Sequence, residues 1–134
     1  MSRTVTRIRD VMKNHFDLVD GMSTVADGLN TMIHVDTKML IVRKRHDDDE
    51  YGMVTLTDIA GKVLAKDRAP DRVNIYEIMT KPVIHLDPDM DIRYAARLFT
   101  TFGLTRGPVI RAHEILGVVS LTDMVIKGLL AEKE

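Results

Sequence analysis

The chain has 134 residues, 45% hydrophobic and 29% charged, enough to bury the core of one ordinary domain. Nineteen Lys and Arg against twenty Asp and Glu leave a formal charge of −1, which argues against a polyanion such as nucleic acid as the main partner. The absence of cysteine removes disulfides, thiolate catalysis and cysteine-based zinc sites, and no apolar run approaches the roughly 20 residues of a membrane span, so a soluble, cytoplasmic protein is expected.

In chain order, Arg3, Arg7 and Arg9 are too few and too unpatterned for a nucleic-acid arm. A short strand is predicted at 17–19, followed by Asp/Gly turn residues and a helix with Val25, Leu29, Met32 and Ile33 at helical spacing. Ser23 or Thr24 would cap that helix by accepting hydrogen bonds from its unpaired first-turn N–H groups. An apolar strand at 39–42, a polar hairpin and a strand at 52–56 come next, and a helix from about 58 to 66 closes the set. Residues 67–74, charged and holding Pro70, read as a linker. The order then recurs. A strand is expected at 83–86 and a helix with Ile92, Ala95, Ala96, Phe99 and Phe102 capped by Asp89 or Asp91. Strands at 108–110 and 117–121 and a helix at 123–130 complete it.

The recurrence is written in the residues. Ile8-Arg9-Asp10-Val11-Met12 reads like Ile75-Tyr76-Glu77-Ile78-Met79, an offset of 67. Gly52-Met53-Val54-Thr55-Leu56-Thr57-Asp58 meets Gly117-Val118-Val119-Ser120-Leu121-Thr122-Asp123 at offset 65, five of the seven positions being identical. Matches in one order at nearly constant offset define a tandem duplication. The expected domains are 1–66 and 75–134, joined by the linker 67–74, and units this small are expected to pack together.

The Thr/Ser-x-x-Asp turns, Thr55/Asp58 and Ser120/Asp123, carry the candidate chemistry. A hydroxyl followed three residues later by an acid is what a helix start wants for capping. The same turn offers N–H groups and a hydroxyl to a phosphate, and a carboxylate to a ribose diol.

The Met-Thr-x-Pro-Val run at 79–83, the Gly107-Pro108-Val109 run and the two Gly-x-x-Thr/Ser-x-x-Asp segments resemble a pair of cystathionine-β-synthase (CBS) domains, from about Ile8 to Leu130. The resemblance implies an α/β (α+β) fold of two β-α-β-β-α repeats packed pseudo-symmetrically. It also implies a regulatory module binding AMP, ADP or ATP in clefts shared by the copies. One cleft would join Met53, Thr55, Thr57 and Asp58 to Val83, Ile84, Leu104, Thr105 and Arg106. There the apolar residues suit a base, Asp58 the ribose, and Thr55 and Arg106 phosphate. A second would join Val118, Ser120, Thr122 and Asp123 to Phe16, Asp17, Thr37 and Lys38. It departs from the family pattern, with Asp36 where an apolar residue is usual and Leu40 in place of proline, so the first cleft is preferred.

Other signals are weaker. His46-Asp47-Asp48-Asp49-Glu50 sits in a hairpin three residues longer than its counterpart and reads as a solvated charged loop, balanced by Arg43, Lys44 and Arg45. Asp87-x-Asp89-x-Asp91 lacks the glycine and final acid of a calcium loop. His15, His34, His46, His85 and His113 show no helical pairing for zinc, and no nucleophile–base pair or phosphate-binding loop is present, so neither a metal nor a catalytic site is expected. The sequence thus reads as a non-catalytic sensor requiring no cofactor, with a nucleotide as regulatory ligand, a homodimer through its closing helices, and an unidentified effector protein. The alternative is a structural or dimerisation module with empty clefts.

Overall fold

The computed structural model describes residues 5–130, so Arg3 lies outside the described residues. In chain order the elements are α1 (Ile8–Val11), β1 (Leu18–Val19), α2 (Val25–Thr31), β2 (Met39–Val42), β3 (Gly52–Thr55), α3 (Leu56–Ile59), α4 (Ile92–Phe102), β4 (Arg106–Arg111), β5 (Glu114–Ser120) and α5 (Leu121–Asp123). They fall into two compact units: a continuous one, Phe16–Val83, and a two-piece one in which the residues up to His15 join those from Ile84 onward.

In the continuous unit β2 is central, parallel to β1 and antiparallel to β3, with Met39 opposite Thr55 and Val42 opposite Gly52. All four β2 residues are buried, as a strand covered on both faces requires. The core gathers Val19, Val25, Leu40, Val42, Val54, Val63, Val73, Ile75 and Ile78. Thr24, rather than Ser23, caps α2, its hydroxyl accepting from the Asp27 N–H at 3.0 Å. Gly28 lets α2 approach Ile75, whose Cδ1 would stand 2.8 Å from an added Cβ. The helix stops at Thr31, earlier than the expected stripe through Ile33. The Asp17 carboxylate captures the Ile33 and His34 N–H groups at 3.0 and 2.8 Å, and Ile33 is left 78% exposed.

In the two-piece unit β4 and β5 form an antiparallel pair with Arg106 opposite Ser120, joined by a turn in which Ala112 and His113 both have positive φ. The core gathers Ile8, Val11, Leu86, Ile92, Ala95, Phe99, Val109, Val119 and Met124. Asp91 rather than Asp89 caps α4, its carboxylate accepting from the Arg93 N–H at 2.9 Å, and Gly103, at φ +67°, ends the helix. The strand expected at 83–86 is reduced to one parallel bridge, Leu86 to Val109. Leu86 makes both its ladder bonds, donating to the Pro108 carbonyl and accepting from Ile110. The ladder would next need an N–H two residues on, where Pro88 has none.

Both closing helices begin as α and widen to π, at Ala60–Leu64 and Met124–Leu129, each stretch containing a glycine. The three aspartates dismissed as a calcium loop have other work. Asp87 and Asp89 pair with Arg111, Asp89 also with Arg9, and Asp91 is the α4 cap.

The units cut across the duplication. The leading segment of the first copy, Ile8–Val11, packs in the core with residues 86–124, while its counterpart, Ile75 and Ile78, packs in the core with residues 19–63. Each leading segment is held by the same pairing. Lys13 bridges Val118 in one unit, and Thr80 bridges Met53 in the other, at duplicated positions. Gly117 is needed at the first junction, since an added Cβ would stand 2.1 Å from the Lys13 carbonyl oxygen.

Candidate functional site

Both Thr/Ser-x-x-Asp turns form complete capping boxes at the junction of the last strand and the closing helix of their units. In the continuous unit the Thr55 hydroxyl accepts from the Asp58 N–H at 3.0 Å, and the Asp58 carboxylate accepts from the Thr55 N–H at 2.9 Å. Ser120 and Asp123 repeat this in the two-piece unit, with both bonds at 3.0 Å. The capping expected of these residues is therefore realised twice. It uses the hydroxyl as an acceptor and leaves its O–H to donate elsewhere.

The two turns differ in what meets the second carboxylate oxygen. Asp123 is buried, and its Oδ1 receives the Lys13 ammonium at 2.7 Å, with Lys127 at 3.7 Å. Burial alone would push this carboxyl up. The ammonium of Lys13 and the Ser120 groups outweigh it, so the carboxyl titrates below its ordinary value. Asp58 is half-buried, and among the described residues no cation is paired with it. The cause is the duplicated position itself: where one unit has Lys13, the other has Thr80, whose short neutral side chain carries no ammonium to offer.

Of the residues proposed for the first cleft, the continuous unit brings together Met53, Thr55, Thr57 and Asp58 at the end of β3 and the start of α3. It also holds Val83, three residues beyond the Thr80 that exchanges backbone hydrogen bonds with Met53 at 2.9 and 3.0 Å. The two-piece unit holds Ile84, Leu104, Thr105 and Arg106. There the Thr105 carbonyl accepts from the Leu121 N–H at 2.9 Å and Arg106 opens β4.

For the second cleft, the two-piece unit holds Val118, Ser120, Thr122 and Asp123, and the continuous unit Phe16, Asp17, Asp36, Thr37 and Lys38. Asp17 is spent on the Ile33 and His34 N–H groups, and the Thr37 hydroxyl donates to the His34 carbonyl at 2.9 Å. Lys38 takes the left-handed conformation, φ +58°, that closes the turn into β2. Sequence reasoning missed Lys13. The signal available was the mismatch of Lys13 with Thr80 inside an otherwise similar duplicated pair.

The hairpin 43–51 also corrects an expectation. It is charged, but the Asp49 side chain is only 8% exposed and accepts from Lys81 Nζ at 2.8 Å, Arg45 N at 2.8 Å and Arg45 Nε at 3.2 Å. Lys81 and then the Arg45 N–H hold its carboxyl well below the ordinary range. The loop is pinned to the segment after Met79 rather than simply solvated.

With this geometry the comparisons with known proteins agree. The CBS domain model matches residues 75–128. The hexameric CBS-CP12 protein from bloom-forming cyanobacteria is 37% identical, at a TM-score of 0.90 over 96% of this chain and 75% of that one. The chain belongs to the CBS-domain family. The mitochondrial CBS domain-containing protein CBSX3 of Arabidopsis thaliana is 28% identical over 130 residues, 90% of this chain and 63% of its own. A Methanopyrus kandleri protein, MK0525, is 30% identical over 79 residues, 58% of this chain and 40% of its own. The chain thus spans less than two thirds of these two relatives. The CBS domain pair of MJ0100, solved with 5′-methylthioadenosine and S-adenosyl-L-methionine, aligns at a TM-score of 0.77 over 98% of this chain and all of that one, and at 22% identity the likeness is one of fold. Among the described residues no helix is long and apolar enough to cross a membrane.

Proposed function

We propose that the protein is a non-catalytic regulatory module that binds an adenosine nucleotide, AMP, ADP or ATP, centred on the Thr55–Asp58 turn. The observation that carries this choice is the contrast between the two turns. The second oxygen of Asp58 has no cation paired with it among the described residues, while that of Asp123 is bonded to Lys13. A ribose diol donates two hydroxyl hydrogens, and a carboxylate with a free oxygen accepts them without first breaking an ion pair. The Thr55 hydroxyl and the N–H groups of the turn suit a phosphate, and Met53 and Val83 an adenine face. Ile84, Leu104, Thr105 and Arg106 are retained as proposed ligand contacts on the family likeness alone. The second set, around Asp123, is proposed to stay empty while Lys13 holds it. Ligand would act by its difference in affinity between conformations, passing the change to an effector protein.

Thermal denaturation with AMP, ADP and ATP tests this. Ligand at a hundred times its dissociation constant stabilises by about 2.7 kcal/mol. Asp58→Ala should abolish that shift, as should Thr80→Lys, which copies the arrangement at Lys13. A shift that survives Asp58→Ala but vanishes in Asp123→Ala would move the site. No shift with any of the three would favour an interaction module without a ligand.

Self-association is part of the same proposal. The closing helix of the two-piece unit exposes Val125, Ile126, Leu129 and Leu130, each about half accessible to solvent. Four apolar side chains on one short helix are what a homodimer would cover.

A further inference from the structure

The strongest feature outside the Thr55–Asp58 turn is a cavity of about 700 Å³ that lies wholly within the continuous unit. It sits at the other end of the β2–β3 pair. Val42 lines it, whereas Met39, at the opposite end of β2, faces Thr55. Its volume is within the range of small-molecule sites, roughly 300–1,000 Å³. The long hairpin of the first copy forms part of its wall, while the second copy turns over Ala112 and His113 in the corresponding place.

The lining has two parts. Met22, Val42, Tyr76 and Met79 supply an apolar surface, on which Met22 is 69% and Tyr76 49% exposed. Methionines adapt to varied shapes, and a tyrosine presents a rigid apolar face at low entropic cost. Against this surface stand Arg43 and Glu50, both exposed, neither side chain engaged by another group among the described residues and not paired with each other. The rim is preorganised, because Asp49 ties Lys81 to the Arg45 backbone and guanidinium, so that the other two cations of the lining share one internal carboxylate. Asp20 is turned inward on its own backbone, accepting from the Met22 N–H at 2.8 Å.

An unengaged guanidinium and an unengaged carboxylate on one apolar cavity are complementary to a ligand with a negative end, a positive end and an apolar body. The lining's three cations, Arg43, Arg45 and Lys81, are balanced by Asp20, Glu50 and the adjoining Asp49, which leaves no excess of positive charge to hold a polyphosphate. We infer that this cavity binds a short zwitterionic peptide with apolar side chains, its terminal carboxylate on Arg43 and its terminal ammonium on Glu50. Arginine takes a carboxylate through two parallel hydrogen bonds, and capture of peptide termini is an established recognition mode. The inference is independent of the nucleotide reading.

Leucyl-leucine, titrated into the isotope-labelled full chain and followed by amide NMR, tests it. Shifts are expected at the amides of Gly21, Met22, Arg43, Tyr76 and Lys81. The N-acetylated and the C-amidated dipeptides should each bind at least tenfold more weakly, as should Arg43→Gln and Glu50→Gln, surface changes that leave the core intact. Absence of shifts at these amides, shifts only elsewhere, or equal binding by the capped peptides or by the two variants would overturn the assignment.

Discussion

Replacing Lys13 by methionine isolates the interaction that distinguishes the two turns. The variant keeps the length and apolar stem of the side chain and removes only the ammonium that lies 2.7 Å from Asp123. Breaking a fully buried ion pair costs about 3–5 kcal/mol, because the remaining charge is stranded in a poor solvent. Here the Lys13 side chain is 20% exposed and Asp123 retains the Ser120 N–H and the more distant Lys127, so the loss should be smaller, about 2 kcal/mol. In urea this moves the unfolding midpoint down by about 1 M at an unchanged slope. A second measurement separates charge from packing. The Asp123 carboxyl, followed by NMR, should titrate higher in Lys13→Met than in the parent, since the burial that raises it is then opposed mainly by the Ser120 hydrogen bonds. A midpoint loss under about 0.5 kcal/mol, or an unmoved titration, would refute the claim that Asp123 is held by an internal cation.

Two further outcomes are expected. The carboxyls of Asp49, Asp87 and Asp89 lie below their ordinary value of 3.8, held down by Lys81 in the first case and by Arg111 in the other two. A lowered folded-state value contributes stability that is present above about pH 4 and is lost as pH falls through the folded values. Denaturation midpoints should therefore be level at neutral pH and fall below pH 4, with the Arg111 part weakened by salt; a midpoint flat through that range would contradict the ion pairs. Ile126→Glu, on the exposed face of the closing helix, should lower the sedimenting mass to that of one chain without altering the fold, and an unchanged mass would remove that face from the proposed homodimer.

Much of the architecture was legible because it is local. Periodicity placed α4, turn chemistry placed both capping boxes, and the offset between Gly52–Asp58 and Gly117–Asp123 foretold that two closing turns would share one geometry. The errors came from long-range effects. Nothing near Ile33 announces that Asp17 will take its N–H and end the helix, and the failed strand at 83–86 depends on a proline two residues past its one good bridge. The Lys13–Asp123 pair spans 110 residues of sequence, beyond any local pattern. Asp49 was misjudged for a similar reason, since its partner Lys81 lies 32 residues away.

The crossing of the leading segments also orders events on the ribosome. The continuous unit has all its parts once residue 83 has emerged, whereas the stretch around Ile8 must wait for partners near Met124. At ordinary translation rates that wait is on the order of ten seconds, during which Ile8 and Val11 have no core of their own to enter. Ile8 and Val11 are thus made before the continuous unit yet find shelter after it, and the nascent chain carries them uncovered until the residues near Met124 have emerged.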